Sequence, residues 1–334
     1  MPGTLTRRNF LSFDFGDRRM PGTDHWIRVH RVAMACRFEV MLSQEDAADI
    51  PAARVALDEA DDLESMLTVF RDTSDVADLN RRAFDQDVVV EPRLFALLAR
   101  SAELHAATGG AFDVTSTPLS RCWGFLTSDG RVPNDGEIEA ARACTGMHHV
   151  ALDDATRGVR FDRAGVEVNF GAVGKGYALD CMTSILRREA TRRALLSAGR
   201  SSVLGLGGRG RGWSVDVRPA LASRATARLW IRDGAVGTSG AGEQFVDVDG
   251  RRYGHVIDPR SGRPASGVLG ASVVTSTAAD ADALSTAFLI GGPDLARRYC
   301  DMHPGTLAIL VHDDESETLA TFGGYHGATL EMLT

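Results

Sequence analysis

Asp282 and Thr286 stand four residues apart in ADADALST (279–286), a spacing that places both on one face of a helix. A carboxylate and a hydroxyl are hard oxygen donors that suit Mg2+ better than zinc, and magnesium keeps water ligands and meets substrate phosphates. The competing reading is a threonine bonded back to its own helix. Asp280 adds a carboxylate near the helix start, where helix electrostatics alone favour it. A complementary group lies in VNFGAVGKGYALD (168–180), a glycine-rich turn opening a helix. Free amides at such a start hold phosphate, and Lys175 is placed to assist. The stretch is neither a P-loop nor a dinucleotide fingerprint, so a tight structural turn stays open beside an anion site.

GHVIDPRSG (254–262) raises a sharper question, because it packs a histidine, an aspartate, a proline and a closing glycine into nine positions. His255 is suited to proton transfer near neutrality and can also orient a phosphate oxygen. Asp258-Pro259 is a turn signal, and Gly262 can take a positive φ. A lone histidine is more often structural. The same polar region holds GTSGAGEQF (237–245), where glycines let backbone approach a ligand and Glu243 sits beside the loop. In GGAFDVTSTPLSRCWGF (109–125), Asp113, Thr115 and Thr117 can fix a turn or face a ligand. Trp123 and Phe125 can stack on a heteroaromatic ring or fill local core. An aromatic pair, a phosphate turn with lysine, a magnesium pair and one histidine together suit a nucleotide diphosphate, where metal and lysine stabilise charge as P–O–P breaks.

The elements that must position these residues are partly legible. Residues 25–42 are dense in β-formers and predict one or two strands. Ala56, Ala60, Leu63 and Leu67 recur at helical spacing within 51–69, and 91–110 predicts a helix with Pro92 in its first turn and Gly109 or Gly110 as its stop. Asn134 with Glu137 predicts a capping box for a short helix ending near Cys144. Strands are expected at 147–152, 158–162 and 166–170, a helix over 174–189, and short β runs through 194–256. A helix over 279–292, another over 293–302 and two or three strands close the chain. No regular βαβ period exists, so the expected fold is α+β, an irregular mixed α/β arrangement with a mixed sheet core.

With 334 residues the chain has enough length for one large or two intimately joined domains. Residues 1–24 are expected to be a flexible arm and 25–334 the catalytic domain. The net charge of −8 argues against nucleic acid as a partner, and of the arginine clusters at 187–193 and 200–211 the first fits the solvated face of a helix. Five cysteines at 36, 122, 144, 181 and 300 form no CxxC pair, which disfavours a zinc site or a disulfide framework. TRRNFL (6–11) is similar to a twin-arginine export signal, but three aspartates interrupt the segment where an apolar run belongs. No segment offers eighteen apolar residues, so no membrane segment is expected and the cytoplasm is the expected compartment, with export by the degenerate signal as the alternative.

At these residues the chain resembles the ApbE family of flavin transferases, from about His30 to the C-terminal strands. Six pieces occur in family order: TVFRDTSDVADLN (68–80), GGAFDVTSTPLSRCWGF, VNFGAVGKGYALD, GTSGAGEQF, RRYGHVIDPRSGRPA (251–265) and ADADALSTAFLIGG (279–292). The resemblance implies a fold with an FAD cleft and Mg2+-dependent transfer of FMN from FAD to a threonine hydroxyl of an acceptor protein. The products are a phosphoester and AMP. It implies His255 as acid or base, and Asp282, Thr286 and the backbone carbonyl of Ala172 as metal ligands. Met34, Asp113, Thr115, Trp123, Lys175, Glu243 and His255 would contact or frame FAD. Met34-Ala35-Cys36 departs from the family's Met-Gly-Thr, and Arg200 in SAGRSSVLG (197–205) replaces the second glycine of a pair. Two other readings use the same residues: hydrolysis of FAD to FMN and AMP, and FAD binding without catalysis.

Overall fold

The computed structural model describes residues 6–7, 25–126, 130–217, 227–241, 244–248, 251–314 and 318–333. Its centre is an eight-stranded sheet whose spatial order follows the chain. The strands are β1 (Trp26–Ala33), β2 (Cys36–Ser43), β3 (Ala194–Ala198), β4 (Ser202–Leu206), β5 (Gly234–Gly240), β6 (Val268–Thr275), β7 (Leu307–His312) and β8 (Leu319–Gly323). Every pairing in it is antiparallel. The α+β class therefore stands, but the expected mixed sheet is an antiparallel one. Neighbours in sequence are neighbours in space, so no parallel crossover is required.

Insertions between these strands build everything else. Residues 44–193 leave between β2 and β3 and include α1 (Ile50–Leu67), α2 (Pro92–Ala107) and α3 (Gly174–Arg188). The connection from β6 to β7 is α4 (Ala278–Met302), broken at Gly292 with φ 67° just before Pro293. That break accounts for the two helices expected there. The capping box at Asn134 and Glu137 is formed, on a helix spanning Asp135–Arg142.

Period-two alternation splits the sheet strands between two cores. Phe38, Val40, Leu42, Leu196, Leu204 and Val273 face the main core under α1, α3 and α4. Leu195, Val203, Val236, Val274 and Ile309 face the opposite side, against a three-stranded sheet formed by Trp213–Val217, Ala227–Ile231 and Ala328–Met332. Both faces are buried, which is why these strands read as continuous apolar runs.

Two expected strands are corrected. Residues 147–149 form a 3-10 turn before a strand at Val150–Asp153. The stretch 166–170 is extended but unpaired with any strand: the Asn80 side chain takes both backbone groups of Val168, at 2.8 and 2.9 Å. An amide side chain has replaced a strand neighbour there. Of the N-terminal 24 residues only Thr6–Arg7 are described, as a short strand antiparallel to Gln244–Val248. Among the described residues no helix is long and apolar enough to cross a membrane.

Candidate active site

A cleft of about 300 Å3 opens over the first turns of α3 and α4. Its lining includes Asp113, Lys175, His255, Asp282, Thr286 and Ala172, drawn from four of the stretches singled out in the sequence.

The floor depends on two glycines. A Cβ on Gly176 would lie 2.0 Å from the Ala278 carbonyl oxygen, and one on Gly237 would lie 2.3 Å from the Ala281 carbonyl carbon. With hydrogen there instead, α3 and β5 close directly on the first turns of α4. Asp282 is thereby buried, at 5% exposure. Its Oδ2 accepts the Gly176 amide at 2.7 Å and its Oδ1 accepts the Ser202 hydroxyl at 2.7 Å. Burial pushes this carboxyl up to about 6, against the opposing pull of Lys175 and the two hydrogen bonds. Thr286 Oγ1 lies 3.0 Å from Ser239 Oγ, which in turn lies 2.8 Å from Ser285 Oγ. The threonine's bond back to the Asp282 carbonyl, the competing reading from sequence, is long at 3.4 Å.

This donor set fits a hard cation. Asp282 is a buried carboxylate destabilised in its charged form, each of its oxygens keeps a lone pair beyond the one bond it accepts, and hydroxyls and the Ala172 residue share its cleft. Among the described residues no group of three or more His, Cys, Asp and Glu side chains has metal-binding proximity. The expected set contains one carboxylate, one hydroxyl and one carbonyl, so it has a different composition from such clusters.

His255 also lines the cleft, carried by the turn in GHVIDPRSG. Asp258 shapes the turn: its Oδ1 accepts the Arg260 amide at 2.9 Å, and its carbonyl accepts the Gly262 amide at 2.8 Å. Gly262 takes φ 71° to close the turn, which joins two paired segments, Ile257–Asp258 and Arg263–Pro264. The turn holds His255 at the cleft, with the Phe125 ring edge-on at 6.4 Å.

Trp123 does not stack in the cleft. It is 1% exposed, packs with Leu119, Ile138 and Ile257, and donates from Nε1 to the Gly262 carbonyl at 2.9 Å. It braces the histidine turn. Thr115 is likewise a brace: its hydroxyl donates to Asp113 Oδ1 at 2.6 Å and accepts the Gly146 amide at 2.6 Å. Asp113 lines the cleft, and its other oxygen lies 3.3 Å from His105 Nδ1. That hydrogen bond raises the His105 pKa.

Met34 lines a smaller adjoining cavity of about 210 Å3 with Ala35, Phe70 and Glu64, and this cavity shares Asn169, Gly171 and Lys175 with the main cleft. Met34 and Ala35 form the two-residue turn between β1 and β2, both at positive φ (48° and 56°). Arg200 is exposed in the turn between β3 and β4, beside Ser201 of the cleft lining. Glu243 lies outside the described residues.

Sequence reasoning missed His105, Ser202 and Ser239. Ser202 and Ser239 lie within quoted stretches but were not singled out, since only their strand registers, β4 on β5 and β5 on β6, bring them to α4. Thr117 was visible within a quoted stretch, but its distinguishing feature was not. Its hydroxyl is buried, lines the cleft and has no hydrogen-bond partner among the described residues.

Fold and cleft together define an α+β protein whose polar cleft is sunk between a helix pair and a histidine-bearing turn. The chain belongs to the ApbE family, which matches residues 34–311. It is 30% identical over 234 residues to the FAD:protein FMN transferase of Escherichia coli K12, covering 68% of this chain and 66% of that relative, so the match spans just under two thirds of the relative's length. A Klebsiella pneumoniae (strain 342) protein of the same name is 30% identical over 288 residues, 84% of this chain and 82% of its own. The crystal structure of the ApbE protein from Thermotoga maritima superposes with a TM-score of 0.82 at 27% identity, covering 89% of this chain and 97% of that one.

Proposed function

We propose that this chain, with residues 25–334 as its catalytic domain, transfers FMN from FAD to a threonine hydroxyl of an acceptor protein. The reaction forms a phosphoester and releases AMP. The observation that carries the reading is the convergence of His255, Asp113, Lys175, Asp282, Thr286 and Ala172 on one cleft. Relatives named FAD:protein FMN transferase support it.

The acceptor threonine Oγ attacks the flavin-side phosphorus in line, and the bond from that phosphorus to the bridging oxygen breaks, so AMP leaves with the bridging oxygen. His255 takes the acceptor hydroxyl's proton as the new P–O bond forms. Lys175, at the start of α3, places a positive charge where the pyrophosphate oxygens gain negative charge. Asp282, Thr286 and the Ala172 carbonyl would hold Mg2+, which when bound neutralises the pyrophosphate. Asp113, fixed by Thr115 and His105, holds a polar edge of the nucleotide. Met34, on the adjoining cavity, contributes to the nucleotide's enclosure, and Trp123 frames it through the histidine turn.

The test is incubation of the protein with FAD, Mg2+ and a threonine-bearing acceptor domain, followed by mass spectrometry. The expected result is an acceptor heavier by one FMN with AMP released, both abolished in Asp282→Ala. Free FMN with unmodified acceptor across a panel of acceptors would replace transfer with hydrolysis. FAD bound but intact would replace it with binding alone.

A further inference from the structure

Helices α3 and α4 exchange carboxylates. The first-turn amide of Gly176 in α3 is capped by Asp282 of α4. In return, Asp180 of α3 accepts the first-turn amides of α4, from Ala278 at 2.8 Å and Ala279 at 2.9 Å. The next two amides of α4 are satisfied by Thr277, through its side chain to Asp280 and its carbonyl to Ala281. Each helix start thus receives a carboxylate from further along the other helix, where partial positive charge gathers. Gly176 lies between the two exchanges, against the Ala278 carbonyl, so the helices touch with no side chain to adjust the fit.

We propose that Asp180 is a positioning residue for the cleft: by holding the α4 start on α3 it sets Asp282 and Thr286 opposite Lys175. This rests on the flavin-transfer reading above. Among the described residues Asp180 is not part of the catalytic cleft's lining. It borders a separate cavity of about 430 Å3. The groups that face it there are Asp280 from α4, Arg100 from α2, Asp233 from the turn before β5, and Tyr177, Thr183, Ser184 and Arg187 from its own helix. Arg100 is engaged with Asp280 at 2.8 Å. Asp282, beyond Ala279, adds a second like charge.

A carboxylate accepts both amides, and the neutral acid keeps one good acceptor. Burial pushes this carboxyl up to about 7, while the Ala278 and Ala279 amides pull it down. Because the net displacement is upward, the packed helices hold this proton more tightly than an opened contact would, so the contact is firmest below about pH 7 and loosens as pH rises through it.

Asp180→Asn in the full chain tests this. It keeps the shape but turns a donor toward one of the two amides. The variant should bind FAD with Mg2+ within about threefold of the parent by fluorescence titration, while kcat falls by about tenfold or more, as small misplacements at a reacting centre do. Hydrogen exchange over 276–284, corrected for intrinsic rates, should show protection falling between pH 6 and 8 in the parent and flat in the variant. A variant that is merely less heat-stable, with kcat per folded molecule unchanged, would overturn the proposal. So would parent protection that does not change with pH, a measurement that decides the matter even where the variant fails to fold. If the parent transfers no FMN at all, the flavin-transfer reading fails, while exchange still tests the clamp by itself.

Discussion

Thr117 carries a hydroxyl that the protein buries beside the cleft without a hydrogen-bond partner among the described residues. An unpaired buried hydroxyl costs about 1–3 kcal/mol, and such a cost persists where a ligand supplies the missing partner. Thr117→Val keeps the shape and removes the hydroxyl, so the two roles separate cleanly. Thermal stability should hold or rise, and FAD affinity should fall about tenfold, the worth of one well-placed hydrogen bond. Calorimetry and a fluorescence titration read the two quantities. A loss of stability with FAD affinity unchanged would make the hydroxyl an internal structural group. At this scale the sequence was informative about residue types and silent about direction. His255, Asp282 and Thr286 were singled out by the family resemblance, since a lone histidine is more often structural and a threonine can bond back to its own helix; the structure lines one cleft with all three. Trp123 stayed open between core and ligand because an indole fills core as readily as it stacks, and its burial and bond to the Gly262 carbonyl place it in the core beside the histidine turn.

Elements meet at the cleft through backbone, and backbone contact has a sharp mutational signature. Gly176→Ala would force a Cβ against the Ala278 carbonyl at 2.0 Å, where no flexible side chain can yield. Displacing α4 from α3 should cost about 2–3 kcal/mol or more, the range of overpacking, and should abolish FMN transfer even at temperatures where the variant is folded. Chemical denaturation and transfer assays check both parts. The turn between β1 and β2 makes the opposite prediction. Ala35 sits at φ 56°, a region that costs a non-glycine residue about 1 kcal/mol. Ala35→Gly should therefore stabilise the protein by up to about 1 kcal/mol in denaturant midpoint, less the greater freedom glycine has in the unfolded chain. The helices were legible from caps and periodicity, as at Pro92 and at Asn134 with Glu137. The strand expected at 166–170 was not, because an asparagine 88 residues away supplies its pairing.

Across the whole molecule, the antiparallel order of the sheet was hidden by its own burial: strands covered on both faces lose the alternation that marks a one-sided sheet. Long insertions between successive strands hid it further, since 150 positions separate the end of β2 from the start of β3. The same burial gives the protein a pH signature. Asp282 is displaced from its ordinary 3.8 to about 6, and Asp180 from 3.8 to about 7, both chiefly by burial. The folded state therefore binds protons more tightly than the unfolded one. The stabilising contribution is fully present below about pH 4 and is lost as pH rises through the folded values. For Asp282 the displacement corresponds to about 3 kcal/mol. A cation held by Asp282 would offset that loss, and it would do so only where the carboxylate is ionised. Scanning calorimetry with and without millimolar Mg2+ should show a clear rise in Tm at pH 7.5 and little at pH 5. Asp282→Asn should weaken the metal-free pH dependence, leaving the part due to Asp180, and remove the response to Mg2+ at both values. A Tm that responds equally to Mg2+ at pH 5 and 7.5, or that still responds in Asp282→Asn, would place the cation elsewhere on the molecule and leave the buried carboxyl as a helix cap alone.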